Sequence, residues 1–124
     1  MHPLLRGAIL LFGFFFALQG LSWLLSPESA ANGLGMPLLD GVGRSTQIGD
    51  FASFFFVAGI AMLLGGYGMR SEWLRIAAAL LGCAAVGRTI AWLAHDAAFA
   101  AFFVFVEVGV AALLLIGARR ADLG

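Results

Sequence analysis

The chain has 124 residues, 62% of them apolar and only 11% charged, with a mean hydropathy of +1.01. A soluble domain is about 45–50% apolar and about 25% charged, and a chain this small cannot bury such an excess in one water-facing fold; lipid is therefore the solvent. Seven basic residues, all arginine, balance seven acidic ones at zero formal charge, which leaves no basic stripe to neutralise nucleic-acid phosphates.

Four apolar stretches approach the roughly 20 residues needed to cross a bilayer, at about 4–25, 47–67, 73–94 and 99–118. The first follows Arg6. It is longer than the 7–15 apolar residues, roughly, of a signal-peptide core, and no A-x-A-like site follows it, so it reads as a retained span. Its phenylalanine run is expected to face lipid or pack. At its end Gln19, Ser22, Trp23 and Ser26 share one helical face. The connector SPESAANGLGMPLLDGVG comes next. Ser26 can cap a helix, Pro27 suits a first turn and Gly33 can stop it. This predicts a short surface helix, then an irregular passage through Met36 and Pro37.

The second stretch carries Gln47 and Asp50 one turn apart, with Asp50 stacked above Phe54. Its glycines at 59, 65, 66 and 68 are expected to let helices approach closely, as small residues do in lipid. Gly82 and Gly87 are expected to do the same on the third. Cys83, the single cysteine, reads as a small buried hydrophobe. Arg88, Trp92 and His95 follow one another along one face of the third stretch, and Glu107 lies one turn inward of Phe103 on the fourth. The short later connections make neighbouring spans antiparallel. The expected fold is all-α: a four-helix transmembrane bundle of up-down topology, one domain over residues 1–124.

The arginines at 6, 70, 75, 119 and 120 fall on one side, and only Arg44 on the other. By the positive-inside rule both termini are cytoplasmic. The expected location is a bacterial inner membrane, with the long connector and the Asp96 turn facing outward.

A charge at bilayer depth is costly and usually meets a partner or a wet cavity. Arg88 and Glu107 lie equally far from the turn between Ala97 and Ala98, on the order of 14 Å at 1.5 Å per residue. They should meet at one depth. Gln19, Asp50, Arg88 and Glu107 are accordingly expected to converge on one cavity, with Trp23 and Trp92 near its mouth and His95 at the boundary. One reading is a buried polar clasp that sets helix order, as buried ion pairs do in some proteins. The other is a small-molecule site. Two carboxylates competing for one guanidinium favour the second, since a clasp needs only one. His95 beside Asp96 reads as an ordinary boundary histidine or as a proton-handling dyad.

The segment GRTIAWLAHDAAFAAFFVFVEVGVAALLLIGARR resembles a small bacterial membrane family of unknown function, itself similar to the DoxX/DoxD-like four-helix superfamily. The matching features are Pro27 after the first span, Arg44 before the second, Gly87-Arg88 in the third, Asp96 at the turn and Glu107 in the fourth. The turn departs from the family, which commonly has Asp-Gly where this chain has Asp96-Ala97. The resemblance implies four helices and draws attention to Arg88 and Glu107. It implies no activity, although members of the wider superfamily resemble accessory subunits of redox and thiol-handling systems.

The expected function is a non-enzymatic integral membrane protein whose outward-facing polar pocket binds a small amphiphile, or which serves as accessory subunit of a membrane complex. The alternatives are a small proton-coupled transporter using Glu107 or Asp50, and a membrane isomerase-like enzyme. The binding candidates are Gln19, Trp23, Asp50, Arg88, Trp92, His95 and Glu107. No catalytic motif, metal-ligand spacing or cofactor loop is found, so no cofactor is expected. The expected partners are the bilayer and a small amphiphile or membrane protein, with a second copy of the chain as a further candidate and no nucleic acid.

Overall fold

The start of α1 (Pro3–Leu25) is set by its first residues. The His2 Nδ1 accepts a hydrogen bond from the Leu4 N–H at 3.0 Å, and Pro3 occupies the first turn, where its missing N–H costs nothing. The helix stops at Ser26 because Pro27 disfavours helical backbone in the residue before it. Pro27 then opens the short α2 (Pro27–Gly33). The helix ends at Gly33 as expected, but the left-handed residue that closes it lies two positions on. Gly35 takes the left-handed φ of 79°, and the Met36 N–H closes onto the Ala31 carbonyl at 3.1 Å. α3 (Gly41–Gly68) begins at Gly41 rather than at 47, because its first turn is polar and invisible to hydropathy. α4 spans Ser71–Ala94 and α5 spans Ala101–Leu123.

This computed structural model describes residues 2–124. Among them it holds five helices and no strand, and α1, α3, α4 and α5 are long and apolar enough to cross a membrane. The protein is an all-α four-helix membrane bundle with α2 packed across one end. Outward-facing Leu11, Phe14, Leu18, Val86, Phe105 and Leu115 are exposed, as lipid-facing side chains should be.

Lipid tails are as apolar as leucine, so helix association here rests on close packing rather than on the hydrophobic effect. α1 lies along α3 in the most extensive contact of the bundle. A methyl group added at Gly20 would come within 2.8 Å of the Phe56 backbone nitrogen, and one at Gly59 within 2.7 Å of the Gly13 carbonyl. Gly65 and Gly66 make room for Leu74 of α4 and for Ile9 and Leu10 of α1. Gly59, Gly65 and Gly66 thus behave as expected, but Gly68, Gly82 and Gly87 do not: Gly68 meets only the Arg70 side chain just beyond its own helix, and the other two face open space. Gly13 and Gly20, which the sequence did not single out, do that work on α1. Cys83 is exposed, not buried, because Leu81 and Ala85 take the inward positions on that part of α4.

One core cluster runs through the middle of the bundle around Ile9, Met62, Leu74, Leu81 and Leu114. A second lies under α2, where Trp23 packs with Ala30, Ala31 and Ala52. Arg6 donates to the carbonyls of Gly66 at 2.9 Å and Tyr67 at 2.7 Å, satisfying the end of α3. Arg75 pairs with Asp122, joining the start of α4 to the end of α5. These contacts bring both ends of the chain to one end of the bundle. The α3–α4 and α4–α5 turns place Met69 and Asp96 in the left-handed region, φ 56° and 57°. Asp tolerates that conformation, so Asp96 fills the role that glycine has in Asp-Gly turns.

Candidate functional site

The connector is the first element that shapes the site. Gln47, on the buried face of α3, accepts from the Leu39 N–H at 2.7 Å and donates to the Pro37 carbonyl at 3.1 Å and the Met36 sulfur at 3.3 Å. This side chain supplies the hydrogen bonds that an irregular passage lacks. It holds the connector down and so fixes α2 over the C-terminal end of α1 and the N-terminal end of α3. Arg44 adds a second tie, donating to the Leu39 carbonyl at 2.8 Å and pairing with Asp40 at 3.2 Å.

Beneath α2 lies a cavity of about 460 Å³. Its walls come from Phe12, Phe15, Phe16, Gln19 and Ser22 of α1, Phe54 and Phe55 of α3, Leu81 and Arg88 of α4, and Phe102, Phe103, Val106 and Glu107 of α5. Ser29, Ala30 and Gly33 of α2, with Leu34, form its roof. The volume falls within the range of about 300–1,000 Å³ typical of small-ligand sites, as does the mix of apolar wall and few polar groups.

Arg88 and Glu107 face each other across the α4–α5 interface. The Arg88 Nε donates to the Glu107 Oε2 at 3.2 Å and lies 3.1 Å from Oε1. The pair is lopsided in exposure, 31% for the arginine side chain and 10% for the glutamate. Oε1 is buried without a hydrogen bond, since the Nε hydrogen is directed at its neighbour. The guanidinium carbon sits 4.6 Å from the centre of the Phe103 ring, a cation–π arrangement. Only Nε is committed: the Nη1 and Nη2 groups donate to nothing among the described residues. Glu107 therefore positions a guanidinium whose remaining hydrogens are available to the cavity it lines.

The sequence-derived candidates separate into three groups. Arg88, Glu107 and Gln19 come together in the cavity wall. Gln19 makes no side-chain hydrogen bond to the described residues, and Arg88 bonds Glu107 instead. Trp23 is fully buried beneath α2, stacked on Phe51 at 5.0 Å, with its Nε1 unpartnered, and it does not line the cavity. Its position is inside the second core cluster rather than at a mouth. Trp92 is 47% exposed and packs on Phe99 at 4.9 Å, outside the cavity. His95 caps α4 and is exposed. Asp50 is exposed and contributes nothing to the cavity. Ala52, buried against the second cluster, lies about 200° round the helix from it at 3.6 residues per turn. The expected pair of carboxylates around one guanidinium is therefore a single carboxylate.

One lining element escaped the sequence reading: the α2 roof, because a short helix shows no periodicity that tells which face it buries. The phenylalanines at 12, 15, 16, 54 and 55, expected to face lipid or pack and, in the small-molecule reading, to wall the site, stand in the cavity wall. Ser22 and Ser29 add neutral hydroxyls to the wall. No group of His, Cys, Asp and Glu suited to a metal ion occurs among the described residues.

No family model matches this chain, and neither a curated protein nor a solved structure is significantly similar to it.

Proposed function

We propose that this protein is a binder of a small amphiphile, non-enzymatic and resident in the bacterial inner membrane with both termini in the cytoplasm. The cavity under α2 is the binding site, and Arg88 is the head-group donor. One observation carries this reading: Arg88 spends only its Nε on Glu107, while Nη1 and Nη2 remain unpartnered in the wall of a cavity otherwise made mostly of phenyl rings. A clasp whose sole task was to join α4 and α5 would gain from a two-pronged Arg–carboxylate pair, the stronger geometry. Here that gain is forgone. Kinship with the DoxX/DoxD-like superfamily, carried by Gly87-Arg88, Asp96 and Glu107, belongs to the same proposal. So does a role as accessory subunit, in which the bound amphiphile or a partner helix would occupy the cavity.

The proton-coupled carrier is the second reading, favoured by the buried Glu107 Oε1 that lacks a donor. It would depend on Glu107 alone, because Asp50 is exposed away from the cavity.

Native mass spectrometry of the gently extracted protein tests the binding reading. Wild type should carry a small hydrophobic adduct, and Arg88→Gln should lose it while keeping its helical circular dichroism. An adduct retained undiminished by Arg88→Gln argues against the site. The carrier reading requires instead that proteoliposomes show a proton flux abolished by Glu107→Gln.

A further inference from the structure

The two ends of the bundle differ in charge. The end that holds the start of α1, the α3–α4 turn and the end of α5 carries the arginines at 6, 70, 75, 119 and 120, against the carboxylates of Glu72 and Asp122. Both carboxylates are engaged, Glu72 by Arg70 at 2.8 Å and Asp122 by Arg75. Arg6 bonds backbone carbonyls, which leave its charge uncompensated. Arg119 and Arg120 pair with no carboxylate among the described residues. The opposite end has Arg44 against Glu28, Asp40, Asp50 and Asp96.

Between the start of α1 and the end of α5, the arginine-rich end opens into a cleft of about 520 Å³, lined by His2, Leu5, Ile116, Arg120, Leu123 and Gly124. Ile116 and Leu123 lie four residues before and three after Arg120, so the three share one face of α5. Asp122, which ties α5 to Arg75 of α4, lies about 200° round the helix from Arg120 at 3.6 residues per turn. That tie turns Arg120 away from α4 and toward the start of α1. His2 spends its Nδ1 on the Leu4 N–H, so its neutral imidazole carries a hydrogen on Nε2 and offers a second donor. Neither the Arg120 guanidinium nor this nitrogen meets an acceptor among the described residues, and no Asp or Glu side chain lines the cleft.

We propose that this cleft binds the head group of an anionic phospholipid, its phosphodiester oxygens accepting from the Arg120 guanidinium and from the His2 Nε2–H. Basic pockets between spans hold lipid phosphates in this way, and a guanidinium matches phosphate through paired N–H groups. What lies below the donors favours a lipid over a free phosphate. Ile116 sits about 6 Å nearer the bilayer centre than Arg120, at 1.5 Å per residue. With Leu5 on the facing helix it gives the cleft an apolar floor. That floor continues into the α1–α5 seam, where the helices meet much less extensively than α1 with α3 or α4 with α5. An acyl chain lies along this seam, with its head group at the arginine end. A zwitterionic head would bring its ammonium among arginines with no side-chain carboxylate in the cleft to receive it, and like charges at close range repel.

The test uses the full chain in a neutral detergent, equilibrated with equal amounts of palmitoyloleoylphosphatidylglycerol and palmitoyloleoylphosphatidylcholine, with native mass spectrometry reading the lipid retained. Wild type should hold the phosphatidylglycerol at least about fivefold over the phosphatidylcholine, the factor that about 1 kcal/mol produces, the value of one arginine at a membrane surface. Arg120→Gln should remove that preference. Arg119→Gln, one residue away but outside the cleft, should keep it. Equal losses in the two variants would assign the preference to the summed charge of this end and overturn the site. A preference that survives Arg120→Gln places the lipid elsewhere and also overturns it. Displacement of the phosphatidylglycerol by a large excess of inorganic phosphate overturns the choice of a lipid. A wild type without preference overturns the proposal outright, and that measurement decides even where a variant fails to fold.

Discussion

Replacing Arg88 and Glu107 by leucine, singly and together, should give unequal single losses and a marked coupling. Glu107 lies on α5 about 9 Å along the helix from Ala101, at 1.5 Å per residue. Its side chain is only 10% exposed and too short to carry its charge to the interface. Arg88→Leu therefore strands a buried carboxylate, which costs about 3–5 kcal/mol. The reverse change is gentler. Arg88 is already 31% exposed, and its long stem lets the guanidinium snorkel outward past Phe103. Glu107→Leu should then cost about 1.5–3 kcal/mol, the value of a lost charged hydrogen bond. The double variant puts two apolar side chains where lipid-like packing suits them, so it should recover roughly 2–3 kcal/mol relative to the sum. Reversible unfolding by SDS titration in mixed micelles, followed by far-UV circular dichroism, measures all four corners of the cycle. Losses that add to within about 0.5 kcal/mol would mean the pair is not coupled. A larger loss for Glu107→Leu than for Arg88→Leu would refute the argument from burial.

Gly59→Ala should destabilise the bundle by about 1–3 kcal/mol, because the added methyl meets the Gly13 carbonyl at 2.7 Å; Gly87→Ala, in open space, should be neutral or slightly stabilising in the same SDS titration. Gln47→Leu removes the partners of the Leu39 N–H and Pro37 carbonyl and should loosen the connector at a cost of about 1–3 kcal/mol, read as faster proteolysis near Met36 with the four long helices intact; unchanged cleavage would show that the connector is held by other contacts. Reporter fusions at Gly124 and near Gly33 should report opposite sides, with Gly124 cytoplasmic by the arginine count; a periplasmic signal at Gly124 inverts the orientation and turns the cavity toward the cytoplasm.

The four spans and the short helix in the connector were legible because length, hydropathy and the proline and glycine punctuation are local properties. The matched depth of Arg88 and Glu107 was legible too, since a short turn between antiparallel helices converts residue counting into height. Rotation about each helix axis was not. Asp50, Trp23 and Trp92 stand near the right level, yet Asp50 and Trp92 face out and Trp23 is sealed under α2. In a span that is apolar on every side, the hydrophobic pattern no longer says which face is inward. That choice is made by contact: Gly13, Gly20 and Gly59 set how α1 and α3 meet, and Gln47 sets where the connector lies. By itself the sequence determined that the chain lives in lipid, how many times it crosses and at what height its charges lie. Only the tertiary structure decided which of them meet, because close approach between backbones is a property of pairs of helices and not of either helix alone.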